Sequence, residues 1–151
     1  MIAVLGIFGT INLFSVSDYY KFAQTEGWND AAREVVGQYQ KDDLILFNAT
    51  WVQIPFDYYF IPYENGYSLQ VEKHGVPVDM FDSGILEPKM TVNDIPRLIS
   101  LLHGHARVWL VYSHDSYTDP TGLIPQTLAS QMRLIRQRDF YGGKVQLYES
   151  P

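Results

Sequence analysis

The chain of 151 residues contains no cysteine. That excludes disulfide bonds, thiolate metal sites and a cysteine nucleophile. It is also short of basic residues, with 11 Lys and Arg against 17 Asp and Glu and a net charge of -6. Phosphate backbones are held by clustered Lys and Arg, so nucleic acid is excluded as a partner. Arg133, Arg136 and Arg138 form the one close basic group. Their helical spacing reads as the solvated last turn of a helix, facing its dipole. There is no glycine-rich phosphate loop after a strand, and neither a dinucleotide fingerprint nor a Walker motif is present. A Gly-x-Ser-x-Gly nucleophile elbow is likewise missing. No repeat, charge block, low-complexity tract or linker divides the chain, and this length buries a core as one domain without staples.

The opening is the most unusual stretch. No charged side chain occurs from Met1 to Ser17, and Asp18 is the first. Ile2-Ala-Val-Leu-Gly-Ile-Phe-Gly, continued by Ile11 and Leu13-Phe14, is apolar but shorter than the roughly 20 residues that span a bilayer. It has neither the basic start nor the cleavage site of a secretory signal. Gly6 and Gly9 weaken a soluble helix but are common in membrane helices. The expectation is an apolar N-terminal helix in residues 1–24, the end of a transmembrane helix from a larger membrane protein. Residues 25–151 are then a single α/β domain.

Within that domain, Asn29 or Asp30 caps a helix to about Gln40, with Ala32, Val35, Val36 and Tyr39 on one face. Leu44-Ile-Leu-Phe47 and Val108-Trp-Leu-Val-Tyr112 are continuous apolar runs of the kind buried on both faces of a sheet. Pro55 opens a short helix that Pro62 ends. Tyr67-Ser-Leu-Gln-Val71 alternates like a strand. Ile95, Leu98, Ile99 and Leu102 predict a helix; Pro96 favours Asn93 over Thr91 as its cap, and Gly104 stops it. A helix from about Leu123 to Arg138 and a strand over Lys144-Val-Gln-Leu-Tyr148 close the chain, the last strand being free to run antiparallel near an edge. This alternation predicts a three-layer, open, mostly parallel sheet with helices on both faces, Rossmann-like or flavodoxin-like.

In such sheets ligands bind beyond the carboxyl ends of the strands. Two polar clusters fall there. One is Asn48, Trp51, Gln53, Asp57 and Tyr58; the other is Ser113, His114, Asp115 and Asp119. They line one crevice if the two strands are neighbours, and the binding residues expected are Asn48, Trp51, Gln53, Asp57, Tyr58, His114 and Asp115. Neighbours such as His114 and Asp115 seldom face each other on a loop, so no catalytic residue is assigned. His103-Gly-His105 lacks a third ligand at an ordered spacing, and no metal or cofactor is expected. Asn48-Ala-Thr50 matches a glycosylation sequon, a pattern frequent by chance.

One family shares several of these segments. Tyr19-Tyr20 after the apolar stretch, Trp28-Asn-Asp-Ala-Ala-Arg-Glu-Val and Asp43-Leu-Ile-Leu-Phe-Asn carry the likeness. Phe56-Asp-Tyr-Tyr59, Arg107-Val-Trp-Leu-Val-Tyr-Ser-His114 and Phe140-Tyr-Gly-Gly-Lys-Val-Gln-Leu-Tyr148 extend it. In their order the chain resembles the C-terminal extracytoplasmic end of bacterial family 39-type membrane glycosyltransferases, relatives of the protein mannosyltransferases. The likeness is weakest from Tyr63 to Met90. It implies a cell-membrane parent that transfers sugar from a polyprenyl-phosphate donor, with its catalytic carboxylates in membrane-region loops before this segment. The domain would then lie on the extracytoplasmic side. Its partners would be the membrane region of the parent and a glycan, lipid-linked sugar or acceptor, and its role acceptor binding or stability. Two other classes stay open: a free-standing α/β ligand- or partner-binding module, and a small enzyme using the His114 crevice.

Overall fold

A computed structural model describes residues 26–80, 82, 84 and 87–151. The apolar N-terminal helix expected in residues 1–24 lies outside them. Among the described residues no helix is long and apolar enough to cross a membrane.

The chain enters at helix α1, Trp28–Val36. Trp28, Ala31, Ala32 and Val35 are buried at the helical spacing and form its inner face. Strand β1, Leu44–Asn48, follows and is buried throughout. A 3-10 turn over Thr50–Val52 leads into α2, Gln53–Gly66. Pro62 does not end α2. It sits on an exposed part of the helix, and the carbonyl four residues earlier belongs to exposed Tyr58, so the missing N–H leaves no buried acceptor. The strand expected at Tyr67–Val71 lies further on, as β2, Glu72–Gly75. A Cβ on Gly75 would stand 2.2 Å from Thr50 Cγ2 and 2.4 Å from the Val78 carbonyl, so only glycine fits where β2 closes on the loop after β1.

Helix α3, Ile95–Leu102, is preceded by a 3-10 turn over Val92–Asp94. That turn moves the cap back to Thr91, which forms a capping box with Asp94, while Pro96 stays in the first α-helical turn. Strand β3, Arg107–Ser113, the one-turn α4, Asp115–Thr118, and α5, Leu123–Gln131, come next. The chain ends in β4, Arg133–Phe140, and β5, Gly143–Glu149.

The sheet order is β2-β1-β3-β5-β4. β1 runs parallel to both β2 and β3, whereas β5 is antiparallel to β3 and to β4. The expected three-layer, mostly parallel, Rossmann-like or flavodoxin-like fold is therefore corrected to a mixed sheet with two parallel and two antiparallel pairings. The cause lies after Gln131. Residues 133–138, expected as the end of a helix, lie instead in the strand Arg133–Phe140, which pairs with β5 as a hairpin and removes the last crossover. Side chains alternate across the sheet. Ile45, Phe47, Trp109, Val111, Val145 and Leu147 pack with α1 and α2. Leu44, Leu46, Val108, Leu110, Tyr112 and Tyr148 pack with α3 and α5. At the amino ends of the central strands, buried Asp43 accepts from Trp109 Nε1 at 2.8 Å and so ties β1 to β3.

Candidate functional site at the strand ends

β1 and β3 are hydrogen-bonded neighbours, with Asn48 opposite Tyr112. The segment after β1 leads to α2 on one face, and the segment after β3 leads to α4 and α5 on the other. In open α/β sheets such divergence between two parallel strands is where ligand crevices form. The structure brings Asn48, Trp51 and His114 together there. Asn48 Nδ2 donates to the Ser113 carbonyl at 3.0 Å. The Trp51 and His114 rings meet edge to face, with centroids 4.6 Å apart. Asn48 is fully buried, so its sequon is closed to glycan attachment. Asn48 Oδ1 and Trp51 Nε1 are buried with no hydrogen-bond partner among the described residues. Each such unmet group costs about 1–3 kcal/mol.

His114 adopts a left-handed conformation, φ 54°, uncommon for a residue with a side chain. Its carbonyl accepts from the Tyr117 and Thr118 amides and so starts α4. Its Nδ1 lies 2.8 Å from Ser113 Oγ. Ser113 Oγ donates to the Gly142 carbonyl. The hydroxyl thus has its lone pairs left to accept from His114 Nδ1. Nε2 faces Glu26 Oε1 at 3.6 Å. Ser113 is buried and its proton is committed to Gly142, an arrangement unsuited to a nucleophile.

The remaining expected residues are elsewhere. Gln53 donates to Asp57 at 3.2 Å along α2, and Asp57 is held at 3.0 Å by Lys73, which also grips Glu64 at 2.8 Å. Asp57 is therefore part of the tie between α2 and β2, away from the crevice. Asp115 opens α4. Asp119 caps α5, accepting from the Leu123 and Ile124 amides. Tyr58 is 75% exposed. It lines a cleft of about 450 Å³ with Glu26, Trp28, Pro55 and Tyr59.

Glu26 connects the two places. One of its carboxylate oxygens faces His114, and the other accepts from Trp28 Nε1 at 2.8 Å. Sequence reasoning missed Glu26, Trp28, Pro55 and Tyr59 as a group, because what assembles them is remote. Gly27 N donates to the Tyr141 carbonyl in the β4–β5 turn, and a Cβ on Gly142 would come within 2.8 Å of Glu26 Cγ. The bare Gly142, at φ +97°, admits the glutamate. Its local signal was only the Gly142-Gly143 pair, which reads simply as a turn. His105, part of the His-Gly-His pattern, is bound to the Asp42 carbonyl through Nδ1 at 3.0 Å. Among the described residues no group of three or more side chains is placed to hold a metal ion.

Comparison with protein-family models, with curated proteins and with solved structures finds no match to this chain.

Proposed function

We infer that this chain is a soluble extracytoplasmic domain of a membrane glycosyltransferase that uses a polyprenyl-phosphate sugar donor. In this reading the domain assists acceptor binding or stability and performs no catalysis itself. The observation that carries it is the cleft of Glu26, Trp28, Pro55, Tyr58 and Tyr59. Aromatic faces stack on the C–H faces of sugar rings while phenol and carboxylate oxygens take sugar hydroxyl hydrogen bonds. The composition disfavours anions, in keeping with the chain's net charge of -6. The uncharged start and the segment resemblance supply the membrane part of the reading.

The test has two readouts. An immunoblot of fractionated native cells is expected to show a membrane-pelleting band several times larger than 17.4 kDa. A soluble band near this mass overturns the membrane reading. Titration of the domain with neutral oligosaccharides, followed by tryptophan fluorescence, is expected to saturate, and Tyr59→Ala or Glu26→Gln is expected to weaken it at least tenfold. Equal responses in both variants remove the cleft from the account.

A second reading, a small enzyme using the His114 crevice, is favoured by the left-handed backbone of His114 and its contacts with Trp51 and Glu26. It requires His114→Ala to abolish a turnover while the fold persists.

A further inference from the structure

Helix α2 is apolar on two sides. Phe56 and Phe60 point into the core and are buried. Ile54, Tyr58 and Ile61, at i, i+4 and i+7, form a second stripe on the outer side, 57%, 75% and 42% exposed. Surface helices normally present polar residues there, and a helix apolar all round is covered on all sides. The helix carries two charges, Asp57 and Glu64, and both turn to Lys73 on its flank. Nothing charged in α2 is left for the outer stripe.

The place where the chain enters the domain bears on what meets this face. Glu26 and Trp28 line the same cleft as Tyr58 and Tyr59. Residue 26, where the described residues begin, thus stands beside the outer side of α2, nine positions after the uncharged stretch ends at Ser17. We propose that this side of α2, through Ile54, Tyr58 and Ile61, rests on the surface of a zwitterionic lipid bilayer. The proposal rests on the membrane reading above and adds to it the orientation of the domain. Tyrosine suits the headgroup level, its ring among the upper acyl carbons and its hydroxyl in water. With no Lys or Arg in the helix, contact arises from apolar burial rather than from attraction to anionic lipid. At a net charge of -6, anionic lipid repels the domain.

The absence of cysteine makes the test clean, since one introduced thiol takes a single label. The full chain carrying Tyr58→Cys, labelled with an environment-sensitive nitrobenzoxadiazole, is mixed with phosphatidylcholine vesicles and floated on a density gradient. Ser130→Cys, at an exposed position of α5 across the sheet, serves as the control site. The expected result is a shift to shorter wavelength with a several-fold rise in intensity at position 58 and no change at 130. Adding phosphatidylserine reduces the response, and Ile54→Asn with Ile61→Asn in the labelled chain abolishes it. A chain that floats while the label at 58 stays in water overturns the proposal and leaves the membrane reading standing. A label already in apolar surroundings before vesicles are added also overturns it, because the chain itself or a second copy then covers the face. A chain that neither floats nor shifts refutes the bilayer contact, while the cell fractionation decides the membrane reading separately.

Discussion

Asp119 and Tyr112 show how single residues fix the far side of the strand ends. The buried Asp119 carboxylate accepts from the amides of Leu123 and Ile124 at 2.8 and 2.9 Å and from Tyr112 Oη at 2.8 Å. It meets the first free N–H groups of α5, where the helix dipole also favours an acid. Asp119→Ala is expected to lower the unfolding free energy by about 2–3 kcal/mol, the range for a charge-assisted bond to buried partners. Urea unfolding checks this, and a loss under about 0.5 kcal/mol refutes the role. Burial, then the bond to Asp119, pushes the Tyr112 hydroxyl far above its ordinary value. Burial alone pushes Tyr148 up to about 12. A raised value in the fold means that the folded state holds its proton where the unfolded chain, near 10, has lost it. Stability is then complete below about pH 10 and falls as pH rises toward about 12. Urea midpoints across this range are expected to drop, and less steeply for Tyr148→Phe. Equal slopes for both proteins count against a buried, neutral Tyr148.

At the scale of elements, β4 is the instructive case. Its side chains are exposed along nearly the whole strand, so burial does not hold it in place. It is held by pairing with β5 and by Glu34 of α1, which bonds Arg136 Nε at 2.6 Å and Arg138 at 2.9 Å. Arg136 and Arg138 are two apart and reach the same carboxylate, as alternation along a strand requires. Burial tends to raise the pKa of Glu34, but the hydrogen bonds and charges of Arg138 and Arg136 outweigh it and hold the carboxyl below its ordinary value. The lowered value means that this contribution is present above the unfolded value of about 4.3 and is lost as pH falls through the folded one. Both arginines are half exposed, so solvent and salt screen the pair. Glu34→Gln is expected to lower the urea midpoint slightly at pH 7, to speed hydrogen exchange in β4 and to flatten the acid limb of the stability profile. Unchanged exchange in β4 would show that the hairpin needs no tether.

For the whole molecule, the sheet is common to both cores, and the central strands β1 and β3 contribute alternate residues to each. A defect on either side therefore loosens the same strands. Phe56→Ala, on the α2 side, is expected to cost about 3–5 kcal/mol, and Leu98→Ala, on the α3 side, about 2–5 kcal/mol. Each variant is expected to unfold in one transition, with far-ultraviolet dichroism and tryptophan fluorescence coinciding. Two separated transitions in Leu98→Ala would mean that the faces fold independently. The orientation proposed for α2 belongs to this scale too, since it fixes which face of the sheet is turned toward the membrane.

The sequence by itself determined what depends on neighbours along the chain. The continuous apolar runs that became β1 and β3, the stripe of α3 and the inner face of α1 were legible, because buried strands and amphipathic helices write their burial as local pattern. It also placed Asn48, Trp51 and His114 at the strand ends. Tertiary structure decided what depends on distant partners. Leu128, Met132 and Ile135 continue a helical spacing past Gln131, yet pairing with β5 and the Glu34 carboxylate turn the segment into a strand and the sheet into a mixed one. Asp57 reads as a crevice acid, yet Lys73, 16 positions later, takes it for the α2–β2 tie. Glu26 reaches His114 only because a hairpin turn more than a hundred residues away presents a glycine to it, and no local spacing encodes a contact between such remote points.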